Sequence, residues 1–182
     1  MKTAYRAAWL LFLLLCAAAA VFYYDPLWVH DQQVRYQLWR AGVHSRYITV
    51  DGHRIHYFEA GSSGTPLVLV HGLGDRAESW APLLPSLAAA GFHVYAPDLL
   101  GYGRSDKPNL TYSISLEETT VLDFMHAVGV TRADLDGWSM GGWVVAKLAL
   151  DHPDARRPPR PGRLRRHSFS AHFPARPFYP AR

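Results

Sequence analysis

A chain of 182 residues is long enough for one domain with a substantial core and too short for two. With 49% of its residues hydrophobic and 13% aromatic, it is not a chain that stays disordered throughout. The net charge of +4 is divided unevenly: all fifteen Asp and Glu lie at or before Asp154, and eight of the nineteen Lys and Arg follow it. The basic balance therefore belongs to the last stretch, and no nucleic-acid partner is expected for the folded part.

Ala7 to Tyr24, "AAWLLFLLLCAAAAVFYY", carries no charge and is preceded by Lys2 and Arg6. As a helix rising 1.5 Å per residue it would span roughly 27 Å, close to the ~30 Å hydrocarbon core of a bilayer. Residues 1–24 are therefore expected to form a transmembrane signal anchor, with the cations inside and the body on the outer or periplasmic side. Tyr23, Tyr24 and Trp28 suit the far interface, and Asp25-Pro26 ends the helix. Ala18-Ala19-Ala20 also satisfies the small-x-small rule of a cleaved signal peptide, which would leave a secreted body. Cys16 has no partner for a disulfide within the chain, and Leu15 before it disfavours lipid modification.

A charged, aromatic connector, 25–46, leads into short strands. Tyr47 to Val50 and Arg54 to Glu59 flank Asp51-Gly52, a strong two-residue hairpin signal. "LVLV", Leu67 to Val70, reads as a strand buried on both faces. Trp80, Leu83, Leu84 and Leu87 recur at helical spacing up to a capping Gly91, and His93 to Asp98 is the next strand. Ser115 and Glu118 read as a capping box opening a helix whose apolar face is Val121, Phe124, Met125 and Val128. A strand then runs into Gly137, and a helix follows from Met140 to about Leu150. This alternation predicts an α/β fold with a mostly parallel sheet and helices on both faces.

Three motifs carry chemistry. "GWSMG", Gly137 to Gly141, is G-x-S-x-G between a strand and a helix, where a serine stands at the apex of a strained turn. Gly137 and Gly141 remove side chains that would collide with the strand and helix, and the Met140 N–H points where an oxyanion would form. The plainer alternative makes Ser139 an ordinary helix N-cap. "VHGLGD", Val70 to Asp75, follows the buried strand; His71 and Gly72 place a loop beside Ser139, with the Leu73 N–H as a second oxyanion donor. His71 could serve as a base, but at a strand end it better suits orienting the loop by hydrogen bonds. "DLLGYGRSDKP", Asp98 to Pro108, lacks both G-x-G-x-x-G spacing and a P-loop lysine, so it reads as a structural crossover rather than a phosphate cradle.

In order and spacing these blocks resemble the α/β-hydrolase superfamily, in its esterase, lipase and haloperoxidase-like members, over roughly Tyr47 to Pro153. The resemblance implies a truncated hydrolase domain over 47–154, Ser139 as nucleophile, Leu73 and Met140 as backbone oxyanion donors, a small ester-like substrate, and neither cofactor nor metal. Serine rather than aspartate at the elbow sets the chain apart from epoxide hydrolases and haloalkane dehalogenases. Two positions depart from the pattern: Leu99 stands where proline is frequent, and Asp136 lies in the strand before the nucleophile, where burial would cost it dearly without a partner.

The family order is Ser, then an acid, then His. After Ser139 the only carboxylates are Asp151 and Asp154 and the only histidines His152, His167 and His172. Asp151, His152 and Asp154 fall at the far end of the elbow helix, more than ~15 Å from its start. The remaining two lie in an Arg- and Pro-rich stretch, 155–182, expected to be a disordered tail. It has no acidic residue and six prolines. A solvated tail, a surface for anionic partners, and a shifted reading frame all fit this composition, the last accounting best for its abruptness. The expected function is a serine hydrolase for ester or similar acyl bonds, inactive as written because acid and histidine are missing. The alternatives are a non-catalytic, membrane-anchored α/β module with a basic tail, and a cofactor-free perhydrolase or acyltransferase.

Overall fold

The computed structural model describes residues 2–157. Helix α1, Lys2–Tyr24, and helix α2, Pro26–Arg40, are separated by Asp25 alone. Proline has no N–H to lose in a first helical turn and its φ is already set for one, so Pro26 closes one helix and opens the next. The segment expected to be a connector thus holds a helix and the start of the first strand. Among the described residues no helix is long and apolar enough to cross a membrane. The transmembrane or signal helix expected over Ala7 to Tyr24 is therefore not supported as a span.

Five strands follow: β1 Val43–Val50, β2 His53–Ala60, β3 Thr65–Val70, β4 Phe92–Pro97 and β5 Asp134–Gly137. They form one sheet in the order β1-β2-β4-β3-β5. The sheet is mixed rather than mostly parallel. β1–β2 and β2–β4 are antiparallel, while β3 runs parallel to both β4 and β5. The hairpin accounts for the difference: Asp51 and Gly52 both take positive φ, 45° and 77°, which turns the chain straight back and makes β2 run against its neighbours. Only the crossovers through helices produce parallel pairs.

Because side chains alternate across a strand, the run Leu67 to Val70 serves both faces. Val68 and Val70, with Ile55, Tyr57 and Tyr95, pack against Val121, Phe124 and Met125 of α4 (Ile114–Ala127) and Val144 and Leu148 of α5 (Met140–Asp151). Leu67 and Leu69, with Phe58, Val94 and Ala96, pack against Leu38 of α2, Ala77, and Leu84 of α3 (Leu84–Ala89). The helix expected from Trp80 to Gly91 is split into a 3-10 turn, Ala77–Trp80, and the short α3. Pro82 and Pro85 lack the N–H groups a continuous helix needs.

The cap of α4 also differs from expectation. Ser113, not Ser115, is the N-cap, its side chain accepting the Leu116 N–H at 3.1 Å. Glu118 does not close a capping box; it is buried against His152, 3.2 Å away. At the other side of the sheet β5 has one neighbouring strand, β3, and its outer side carries a single parallel bridge, Ala133 with Arg156. There Ala133 donates to Ala155 O at 3.0 Å and Arg157 donates to Ala133 O at 3.0 Å. Nearly the whole outer edge of β5 is thus without a strand partner among the described residues. The expectation that Asp136 is buried is corrected by this edge position: Asp136 is exposed, its carboxylate accepting the Gly137 N–H at 2.8 Å.

Candidate active site

The chain passes from β5 into α5 through Trp138 and Ser139. Ser139 has φ 53° and ψ −118°, and apart from Asp51 of the hairpin it is the one non-glycine residue with positive φ among those described. Such a conformation costs of order 1–3 kcal/mol and persists only where the surroundings impose it. Here Trp138 N–H bonds Val70 O at 3.1 Å, Gly141 N–H bonds Trp138 O at 3.0 Å and Gly142 N–H bonds Ser139 O at 2.9 Å. Strand and helix meet so closely that a Cβ on Gly137 would run into the Gly141 carbonyl, and one on Gly141 into the carbonyls of Val70 and His71. Met140 opens α5 and packs on the core, and the serine side chain is exposed.

Gly72 lies directly against the elbow. A Cβ there would sit 2.8 Å from the Trp138 ring and 3.2 Å from the Ser139 Cβ, so only glycine lets this loop approach. Leu73 follows, with an exposed side chain. His71 is fully buried and both ring nitrogens are engaged: Nδ1 bonds Gly72 O at 2.8 Å and Nε2 bonds Leu99 N at 3.0 Å. A carbonyl only accepts and an amide N–H only donates, so Nδ1 carries the proton and Nε2 is the acceptor. This neutral ring ties the loop after β3 to the loop after β4 and has no lone pair left for Ser139.

Around it, Tyr102 meets His71 edge-on with ring centroids 5.4 Å apart. Behind Tyr102 lies Glu117, whose pKa burial pushes up to about 7, with the Leu100 N–H pulling weakly in the opposite sense. Glu117 raises the phenol pKa of Tyr102 further, beyond what burial does. Neither Glu117 oxygen has a hydrogen-bond partner of good geometry. Sequence reasoning missed this group, since the Glu117-Glu118 pair resembles an exposed first helical turn.

No histidine or carboxylate hydrogen-bonds the Ser139 hydroxyl among the described residues. Asp151 pairs with Lys147 and His152 with Glu118, both at the C-terminal end of α5. A twelve-residue helix puts that end roughly 16 Å from the elbow. His167 and His172 lie outside the described residues. Nor does any group of three or more His, Cys, Asp and Glu among the described residues stand where it could hold a metal ion.

A sequence family described as alpha/beta hydrolase fold matches residues 65–156, from the strand before His71 to the bridge beside β5. The chain belongs to the α/β-hydrolase fold family. Among solved structures it is similar to a membrane phospholipase A described as a bacterial virulence factor, with 33% identity and a TM-score of 0.70, covering 90% of this chain and 55% of that one. It is also similar to an epoxide hydrolase from an endophytic Streptomyces, with 38% identity and a TM-score of 0.60, covering 63% of this chain and 35% of that one. Among curated proteins, Epoxide hydrolase A of Mycobacterium tuberculosis is 38% identical over 112 residues, 60% of this chain and 35% of that protein. The chain thus spans about a third of the length of the curated relatives it matches. Epoxide hydrolases stand among its relatives, so the distinction drawn from the sequence rests on the one residue at the elbow, Ser139.

Proposed function

We propose that the chain carries the nucleophile half of a serine hydrolase acting on carboxylic esters or similar acyl bonds. The observation that carries this reading is Ser139, held at φ 53° on the turn between β5 and α5. In this reading Ser139 Oγ attacks the acyl carbonyl, and the backbone N–H groups of Leu73 and Met140 receive the developing oxyanion. A serine at that point favours acyl transfer over epoxide opening, and a relative described as a phospholipase A favours an ester with an apolar acyl chain. Proton transfer is the weak step. With no histidine free to take the Ser139 proton among the described residues, turnover falls by on the order of a millionfold relative to a complete triad.

We also propose that α1 attaches the chain to a membrane surface, with the body on the outer side, or is removed from a secreted product. Its described leucines, Leu10, Leu11, Leu13, Leu14 and Leu15, are exposed, which supports attachment.

The test is a fluorophosphonate probe and a p-nitrophenyl ester applied to the full chain and to Ser139→Ala. Slow labelling at Ser139, with turnover barely above the blank, is the expected result. Fast turnover abolished by Ser139→Ala would overturn the missing base, and no label at Ser139 after long incubation would overturn the nucleophile.

A further inference from the structure

A second chain of serine, histidine and aspartate lies on the opposite side of the sheet from α4 and α5. The hairpin register pairs Ser45 with Phe58 and Tyr47 with His56, so Ser45 and His56 are diagonal neighbours on one face. His56 Nδ1 is 2.7 Å from Asp98 Oδ2, and His56 Nε2 is 2.9 Å from Ser45 Oγ. Imidazole and carboxylate are both fully buried.

Asp98 is ionised. Burial alone would raise its pKa, but hydrogen bonds from His56, the Ala77 N–H and the Arg104 N–H outweigh that and hold it below the ordinary carboxylate range. The N–H donors lie 2.7 Å and 2.9 Å from its oxygens. An ionised carboxylate only accepts, so Nδ1 of His56 must carry the proton. In the neutral ring the Nε2 lone pair then faces Ser45, and the serine hydroxyl donates to it. This is the tautomer a general base for serine requires.

The outer end of this relay is open. Ser45 is exposed and stands in the wall of a cleft of about 410 Å³ whose other sides include Gln32, Arg35, Tyr36 and Trp39. Tyr36 and Trp39 stack there, centroids 6.1 Å apart, offering an apolar platform. The guanidinium of Arg104 points Nη1 at Ser45 Oγ from 3.3 Å, and its Nη2 is held by Glu78. A cation so placed favours the alkoxide and then the oxyanion beside it. A His–Asp pair serving only to clasp β2 to β4 would need neither an exposed hydroxyl nor a cation at that end.

We propose that Ser45, His56 and Asp98 form a second nucleophilic site, independent of Ser139, which accepts the acyl group of a small activated ester. Ser45 Oγ bonds to the carbonyl carbon as its proton passes to His56 Nε2, with Asp98 positioning the ring and stabilising the imidazolium. The carbon–oxygen bond to the leaving alcohol breaks, and that alcohol takes the proton back from His56. The product is an acylated Ser45. Because the imidazole is fully buried and its Nε2 faces the Ser45 oxygen, the acyl group then stands between the base and water, and the ester persists rather than turning over.

The test uses the full chain carrying Ser139→Ala, incubated with p-nitrophenyl acetate and mapped by peptide mass spectrometry. Ser62 and Ser63, on an exposed loop, give the background rate in the same molecule. Acetylation of Ser45 about a hundredfold faster than theirs, the size of a general-base effect, is expected. With it should come about one equivalent of p-nitrophenolate that is lost in Ser45→Ala. The advantage should vanish in urea, where the relay is broken. Acetylation of Ser45 no faster than Ser62 and Ser63, or equally fast in urea, would overturn the proposal.

Discussion

Replacing Glu117 with glutamine should stabilise the protein above neutral pH and leave it nearly unchanged in acid. Glu117 is 2% exposed, so little solvent screens the charge, and the Leu100 N–H is the one group that offsets its burial. Burial lifts its pKa from 4.5 to about 7. Below the unfolded value the folded and unfolded chains are both protonated and the group costs nothing. Between that value and the folded one, the unfolded chain releases its proton while the folded chain keeps it, so stability falls as pH rises. Above about 7 the full penalty is in place, about 3 kcal/mol at 1.36 kcal/mol per unit. Glutamine has nearly the same shape, no charge at any pH, and a carbonyl to turn toward the Leu100 N–H. Thermal unfolding in detergent, followed by circular dichroism at pH 5 and pH 8, reads the difference. At about 3 °C per kcal/mol for a domain of this size, Glu117→Gln should melt about 10 °C above the parent at pH 8 and within a few degrees of it at pH 5. Parallel pH profiles for the two proteins, or a lower melting point for Glu117→Gln at pH 8, would show that the carboxyl is not desolvated as argued.

Gly141→Ala should cost about 2–3 kcal/mol, since its methyl would meet the Val70 carbonyl, and urea titration would measure it. Leu148→Ala should cost about 2–5 kcal/mol by opening a cavity under α5, whereas Leu150→Ala, 80% exposed, should stay within about 0.5 kcal/mol in the same titration. The outer edge of β5 should make residues 25–182 aggregate or leave the Leu135 amide exchanging far faster than that of Val68, which hydrogen exchange would resolve. A monomer with a cooperative transition and full protection at Leu135 would refute this. The coding sequence read in its other two frames beyond codon 154 should continue with an apolar strand, an acid and a late histidine; failure of both frames would mark the basic stretch as genuine.

The elements most legible in the sequence were those governed by local chemistry. Asp51-Gly52 announces its turn because two successive positive φ angles admit few residues, and Gly137-x-Ser139-x-Gly141 announces the elbow because Cβ atoms have no room there. The apolar run from Leu67 to Val70 shows a strand covered on both sides. What pairs with what was less legible. Nothing local says that β2 lies beside β4, and so the mixture of strand directions was missed. Pro82 and Pro85 outweighed an apolar spacing that looked helical. Asp136 seemed a buried liability because its strand was assumed to be interior; its exposure follows from which neighbour is present, a tertiary fact. The relay of Ser45, His56 and Asp98 joins residues far apart in sequence, and no motif marks it.

The grip on Ser139 is narrow. β5 is held to the sheet by four residue pairs with β3, and the elbow's unusual backbone angles depend on that ladder together with the seating of α5. A serine forced to positive φ relaxes as soon as either restraint loosens, because nothing in its own side chain prefers that state. As the proposed nucleophile, Ser139 would then report on the sheet beneath it through its rate of reaction with an electrophile. Followed along a denaturant series, that rate would register the loosening of the β5–β3 ladder.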